Sequence, residues 1–365
     1  MASPIIYPHL DMTHPITPAE GTTRKQDIDI ARGIAIFSVV FAHIVTGFTS
    51  QVIYLFHMPF FFIVSGYLHK VNPQEGRYFK RKCCALLLPY IVYLYILELP
   101  LLSKLLARII ENPSTEGIVN FGKMLLKLLY GGETLRGATG VFWFVTCLFL
   151  VQQLFNFLSN RIHSKRLFGL TAFGFYVFAC IDQMSPVHLA APFAANIVAC
   201  AFGFYAIGAF FGPALFTTHS HRSERRIVAI AISITLLSAL LLSAGLRLEF
   251  DMKHGYYGYA VLSPLAAIAM TKLLMVGSHM LTKYQRISQI ITLVGTASIT
   301  IMYVHLSLEM ALPEILYKVP LIQAAIITAL CCLLHTLFNS NRWTKLLFLG
   351  QRLNGSSKQA LAVSE

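Results

Sequence analysis

The sequence predicts an all-α, polytopic membrane protein with about ten transmembrane helices and both termini in the cytoplasm. Three observations predict it. First, the 365 residues are 56% hydrophobic and only 12% charged, with a mean hydropathy of +0.64, whereas soluble domains carry about 25% charged residues. Too few polar residues remain to cover a water-facing surface, so lipid must cover much of it. Second, apolar stretches of about 20 residues, the length that crosses the bilayer core, recur along the chain. Third, Lys and Arg concentrate in alternate connecting segments.

Residues 1–24 read as a flexible cytoplasmic tail. Pro4, Pro8, Pro15 and Pro18 interrupt it, and it holds no apolar run of the kind a signal peptide needs. The membrane domain is expected over 25–340, with spans near 28–48, 52–69, 86–103, 140–159, 167–184, 190–212, 226–246, 258–277, 289–308 and 321–338. Residues 341–365 read as a second cytoplasmic tail. Basic clusters at Lys70–Lys82, Arg161–Arg166 and Arg222–Arg226 fall on one side of this arrangement, and the positive-inside rule makes that side cytoplasmic. The segment 104–139 is long and carries several outer charges. Its stretch Phe121–Leu129 is amphipathic and suits either a helix on the outer membrane face or a lid. Glu98 and Lys272 are unusual within spans, and Lys272 is expected to snorkel inward.

The net charge of +13 does not indicate nucleic acid, because the basic residues sit in short loops between apolar stretches, where they orient helices. No zinc-finger, recognition-helix or aromatic RNA-reading motif accompanies them. The seven cysteines form no CxxC, and most lie in apolar stretches, as small buried residues do. His219 and His221 stand in a basic loop without further ligands, so no metal site is expected.

The first span carries ionisable groups at membrane depth, where charge is costly and marks pathways or sites. Arg32 and His43 are eleven residues apart. At about 100° per residue they share one helix face, about 16 Å apart along the axis. Asp29 precedes Arg32 by three residues and suits an ion pair. Taken alone, Arg32 serves equally as a snorkelling anchor, and His43 as a bond to a neighbouring helix.

Four further pieces follow in order: Phe60-Phe61-Phe62-Ile63-Val64-Ser65-Gly66-Tyr67-Leu68; Tyr78-Phe79-Lys80-Arg81-Lys82 leading into Leu86-Leu87-Leu88-Pro89-Tyr90; Val141-Phe142-Trp143-Phe144-Val145; and Gly295-Thr296-Ala297-Ser298-Ile299, trailed by Tyr303-Val304-His305. With Asp29-x-x-Arg32-Gly33 and Arg32-x10-His43, these pieces resemble the membrane acyltransferase-3 family. The likeness runs from about residue 25 to 310. It implies transfer of an acyl group, usually acetyl, from cytoplasmic acyl-CoA to a hydroxyl of an envelope or secreted glycan such as lipopolysaccharide or exopolysaccharide. Acyl-CoA and a glycan or lipid-linked oligosaccharide would be the partners, with no bound cofactor, in a bacterial inner membrane.

The same resemblance maps the family's Arg-x10-His onto Arg32 and His43 and its basic cluster onto Arg81, flanked by Lys80 and Lys82 as donor-binding candidates. Many members carry a second Arg where Cys84 stands here. The outer hydrolase-like domain of some members has no counterpart in this sequence. Asp29, Ser65, Trp143 and His305 are supporting candidates. Ser65 and Gly66 also suit close helix packing, Trp143 suits sugar stacking or the interfacial belt, and His305 suits cavity or packing. A transporter or flippase of a lipid-linked glycan is the alternative from another class, although no paired half-repeat is visible.

Overall fold

The computed structural model describes residues 18–185, 191–216 and 222–351, and these are helical with short connections; His219 and His221 lie outside the described residues. The helices are α1 (Pro18–Ile44), α2 (Phe48–Tyr54), α3 (His57–Tyr67), α4 (Glu75–Lys82), α5 (Leu88–Glu111), α6 (Thr115–Tyr130), α7 (Trp143–Arg161), α8 (Lys165–Met184), α9 (Val198–Phe216), α10 (Arg222–Ser243), α11 (Leu262–Leu281), α12 (Gln285–Thr296), α13 (Ser298–Ala311), α14 (Pro320–Ser340) and α15 (Arg342–Leu349). Eight helical segments are long and apolar enough to cross a membrane, or nine when α12 and α13, bent by 77°, count as one. The chain is therefore a multi-pass membrane protein.

Nine of the ten expected spans coincide with these segments. The tenth, α1, is not among them, because Asp27, Asp29 and Arg32 interrupt its apolar run. Burial explains how it carries those charges: α1 packs on α11, α12, α13 and α14, with Ile30, Ala31 and Ala35 fully inaccessible. Other helices, rather than lipid, surround it.

Close crossings set the arrangement. Gly33 of α1 and Gly295 of α12 face each other, and a Cβ on Gly295 would lie 1.9 Å from the Asp29 carbonyl oxygen. The α3–α9 crossing repeats the device. A Cβ on Gly66 would stand 1.9 Å from the Tyr205 oxygen, and one on Gly208 would stand 1.9 Å from the Ile63 oxygen. Small residues let helix backbones approach where dispersion must replace the hydrophobic effect. The close-packing role expected around Ser65 and Gly66 thus falls to Gly66.

The structure bears on three further sequence expectations. Within residues 104–139, α5 runs on to Glu111, past the span end expected near 103, and α6 covers the amphipathic stretch Phe121–Leu129, with Leu128 its only buried side chain. The C-terminal tail is not wholly a tail, since α15 packs on α5 and α14 and stacks Phe348 on Phe338 at 4.1 Å. Gly350 ends α15 with φ +63°, pressed against the Ala85 carbonyl, a position only glycine fits. Lys272 turns in among the helices. It is 2% exposed, lies 2.7 Å from Glu224 and donates to the Ala214 carbonyl at 3.2 Å, near the C-terminal end of α9.

Candidate active site

A cavity of about 480 Å³ runs through the bundle between α1, α3, α4, α7 and α13. The α1 stripe Arg32, Ile36, Val39 forms one wall, as the helical period requires, and His43 continues the stripe one turn further. At one end Arg32, Lys70, Arg81 and Lys82 bring four cationic side chains together, and no Asp or Glu lines the cavity among the described residues. The middle is apolar, with Met58, Phe61, Val64, Phe144 and Met302. His305 stands at its far end on α13.

Each cationic group is held by local structure. Arg32 donates to Ser298 Oγ at 2.7 Å and to Asp29 Oδ1 at 3.3 Å, so it bridges α1 to the first residue of α13. The bend between α12 and α13 at Ala297 is what places Ser298 there. After Lys82 the chain widens into a π-helical segment, Cys83–Leu87. Such segments insert an extra residue into a helix turn and frequently mark functional sites. Leu86 within it lines the cavity, and its carbonyl accepts from the Tyr303 hydroxyl at 3.4 Å.

The loop 68–74 delivers His69 and Lys70. Asn156 clamps it, accepting from the Asn72 N–H at 2.8 Å and donating to the Asn72 carbonyl at 3.0 Å. His69 Nδ1 lies 2.6 Å from the Tyr205 hydroxyl. Burial, reinforced by the charges of Lys82 and Arg81, lowers the His69 pKa to about 3, so the ring is neutral at physiological pH.

Around His305, three histidines gather. The rings of His43 and His305 are 5.3 Å apart between centroids, Tyr54 lies 6.4 Å from His43, and His57 lies 5.0 Å from Tyr54. His57 Nδ1 donates to the Ile53 carbonyl at 3.0 Å and His305 Nδ1 to the Ile301 carbonyl at 2.8 Å. Lys253, in the loop after α10, lies within electrostatic reach of His43 and donates to the Leu135 carbonyl at 2.7 Å.

Of the residues named from sequence, Arg32, Arg81, Lys82, Ser65 and His305 line one cavity. His43 abuts it through His305. Asp29 lies behind Arg32 as its ion-pair partner. Lys80 is exposed and outside the cavity, because consecutive helical residues point about 100° apart. Trp143 is buried, 5% exposed, edge-on to Phe144, and it is Phe144 that faces the cavity. Sequence reasoning missed His69, Gln152 and Tyr205, and gave Tyr78 no role beyond opening the basic motif. Of the three, His69 left a signal, immediately after the Ser65-Gly66-Tyr67-Leu68 run. No group of three or more His, Cys, Asp or Glu among the described residues is placed to hold a metal.

The chain is thus an all-helical membrane bundle enclosing a cavity that is cationic at one end and holds His305 at the other. Residues 25–340 match the family described as the acyltransferase domain. The chain belongs to this family and is a membrane acyltransferase. No curated protein and no solved structure was found to match it.

Proposed function

We propose that the protein transfers an acyl group, acetyl in the first instance, from acyl-CoA on the cytoplasmic side to a hydroxyl of a cell-envelope or secreted glycan, in the inner membrane of a bacterium. The observation that carries this reading is the polarity of the cavity, with Arg32, Arg81 and Lys82 at one end and His305, backed by His43, at the other. CoA has the matching polarity: phosphates at one end, an uncharged pantetheine arm, and a thioester at the tip. Arginine pairs with phosphate oxygens in forked geometry; no acid lines the cavity among the described residues, and Asp29, which pairs with Arg32, lies behind it. The apolar middle suits the arm, and a volume of about 480 Å³ lies within the about 300–1,000 Å³ range of small-ligand sites. The nucleotide would sit at the mouth, beside Lys70 and Lys82.

His43 is the base in this reading. Its ring is only partly buried and makes no side-chain hydrogen bond among the described residues, so it is free to take the proton of an attacking hydroxyl. The cationic end is cytoplasmic, since the basic clusters flank it and cytosol supplies acyl-CoA. With α1 counted as a tenth crossing, both ends of the membrane domain then share that side. A lipid-linked glycan transporter would use broken helices in both halves, whereas one bent pair occurs among the described residues.

The test is mass spectrometry of surface and secreted glycans from wild-type, deletion and His43→Ala cells. An acyl mass increment present only with the intact protein is expected. Unchanged acylation with altered glycan export would favour the transporter, and full acylation in His43→Ala would remove His43 from the chemistry.

A further inference from the structure

His305 is fully buried and stands among the residues that line the cavity. Its Nδ1 is 2.8 Å from the Ile301 carbonyl oxygen. A carbonyl can only accept, so Nδ1 carries the ring proton and Nε2 carries the lone pair. That Nε2 is inaccessible to solvent and has no hydrogen-bond partner among the described residues. Buried polar atoms are normally paired, and one left unpaired in a site is explained by a ligand or a chemical role. His57 makes the same type of bond, to Ile53, but does not line the cavity. His43 is not among the lining residues; its ring centroid lies 5.3 Å from that of His305.

Of these two imidazoles, His305 is the one that lines the cavity an arm would thread from the cationic end. A neutral imidazole lone pair can take a proton or attack an electrophile. A thioester brings to that point an electrophilic carbonyl and no exchangeable proton, so attack is the reaction open to Nε2. We propose that His305 is a catalytic residue that carries the acyl group between donor and acceptor, with His43 serving the acceptor; this rests on the transferase reading above.

The steps balance. Nε2 of His305 attacks the thioester carbonyl, the carbon–sulfur bond breaks and CoA leaves as the thiolate. Nδ1 keeps its proton, held by the Ile301 carbonyl, so the carrier is a cationic acyl-imidazolium. The acceptor hydroxyl then attacks the same carbonyl while His43 takes its proton. The carbon–oxygen bond forms, the carbon–Nε2 bond breaks, and His305 returns neutral. His43 gives up its proton to solvent, from which the thiolate is reprotonated. The sum is thioester plus alcohol giving ester plus thiol.

The experiment is isotope exchange between labelled CoA and unlabelled acetyl-CoA on the purified full-length protein, with no glycan acceptor present. A covalent carrier permits exchange without acceptor; direct transfer does not. Exchange is expected in the wild type and in His43→Ala, with a fall of at least about 100-fold in His305→Gln at unchanged acetyl-CoA binding. No exchange in the wild type overturns the proposal, as does loss of exchange in His43→Ala, which would make His43 the carrier. The His43→Ala arm decides even where His305→Gln fails to fold. A protein that acylates glycan in cells but shows no exchange fails only this proposal. One that does neither fails the transferase reading itself.

Discussion

The α3–α9 crossing makes a quantitative prediction that links packing to the site. Replace Gly66 with alanine. The new Cβ would lie 1.9 Å from the Tyr205 carbonyl oxygen, where ordinary contact begins at 3.4 Å, so the helices must part locally by about 1.5 Å. The obstructing atom is backbone and cannot rotate aside. Overpacking of this kind costs about 1–3 kcal/mol. At about 2 °C per kcal/mol for a large domain, the unfolding temperature in detergent should fall by about 2–6 °C. Gly208→Ala meets the Ile63 oxygen at the same 1.9 Å and should cost as much. Because either substitution already separates the helices, the double variant should lose less than the sum, as expected for neighbouring sites. Tyr205 also bonds His69 in the cavity wall, so activity should fall alongside stability. Unchanged melting in both single variants, or strict additivity in the double, would refute the crossing as described.

Three further outcomes follow from named contacts. Ser298→Ala removes a 2.7 Å bond to Arg32; charge-assisted bonds contribute about 1.5–3 kcal/mol, so the KM for acyl-CoA should rise about 10- to 100-fold, read by initial rates, with a smaller effect for Asp29→Asn. The imidazole of His69 has a folded pKa of about 3 against about 6.5 unfolded. Its neutral form therefore stabilises the fold fully above about pH 6.5, and this contribution is lost as pH falls towards 3. His69→Gln should flatten the acid side of a stability–pH profile by up to about 1.4 kcal/mol per pH unit; an unchanged slope contradicts the burial. Lys272→Met strands Glu224 in a largely buried site, at a cost of about 3–5 kcal/mol, whereas Lys272→Met with Glu224→Gln should recover much of it, because a buried pair removed together is often neutral. Thermal unfolding of the single and double variants measures the difference.

What the sequence could and could not disclose follows from how far each inference had to reach. The stripe of Arg32, Ile36, Val39 and His43 is legible because it lies within one helix and obeys one period. The α12–α13 bend is half legible: Gly295 is visible, but its reason, the Asp29 carbonyl 1.9 Å from where a Cβ would stand, belongs to another helix. Near the basic cluster the reading passes from local to tertiary within three residues. Lys80, Arg81 and Lys82 are equivalent as charges, and only the packing of α4 on α7, with the π-segment that follows, turns Lys80 outward and the other two inward. Trp143 and Phe144 are separated the same way: the sequence leaves Trp143 between sugar stacking and the interfacial belt, and the phase of α7 buries it and presents Phe144 to the cavity. His69 and Tyr205 are 136 residues apart in sequence and 2.6 Å apart in space, and no local pattern announces such a pair. His305 stands between these cases. Its place four residues after Ile301 makes the Nδ1 bond foreseeable, because a helical histidine reaches the preceding turn's carbonyl. That its other nitrogen lies unpartnered, in a residue lining a cavity with a cationic end, required the fold.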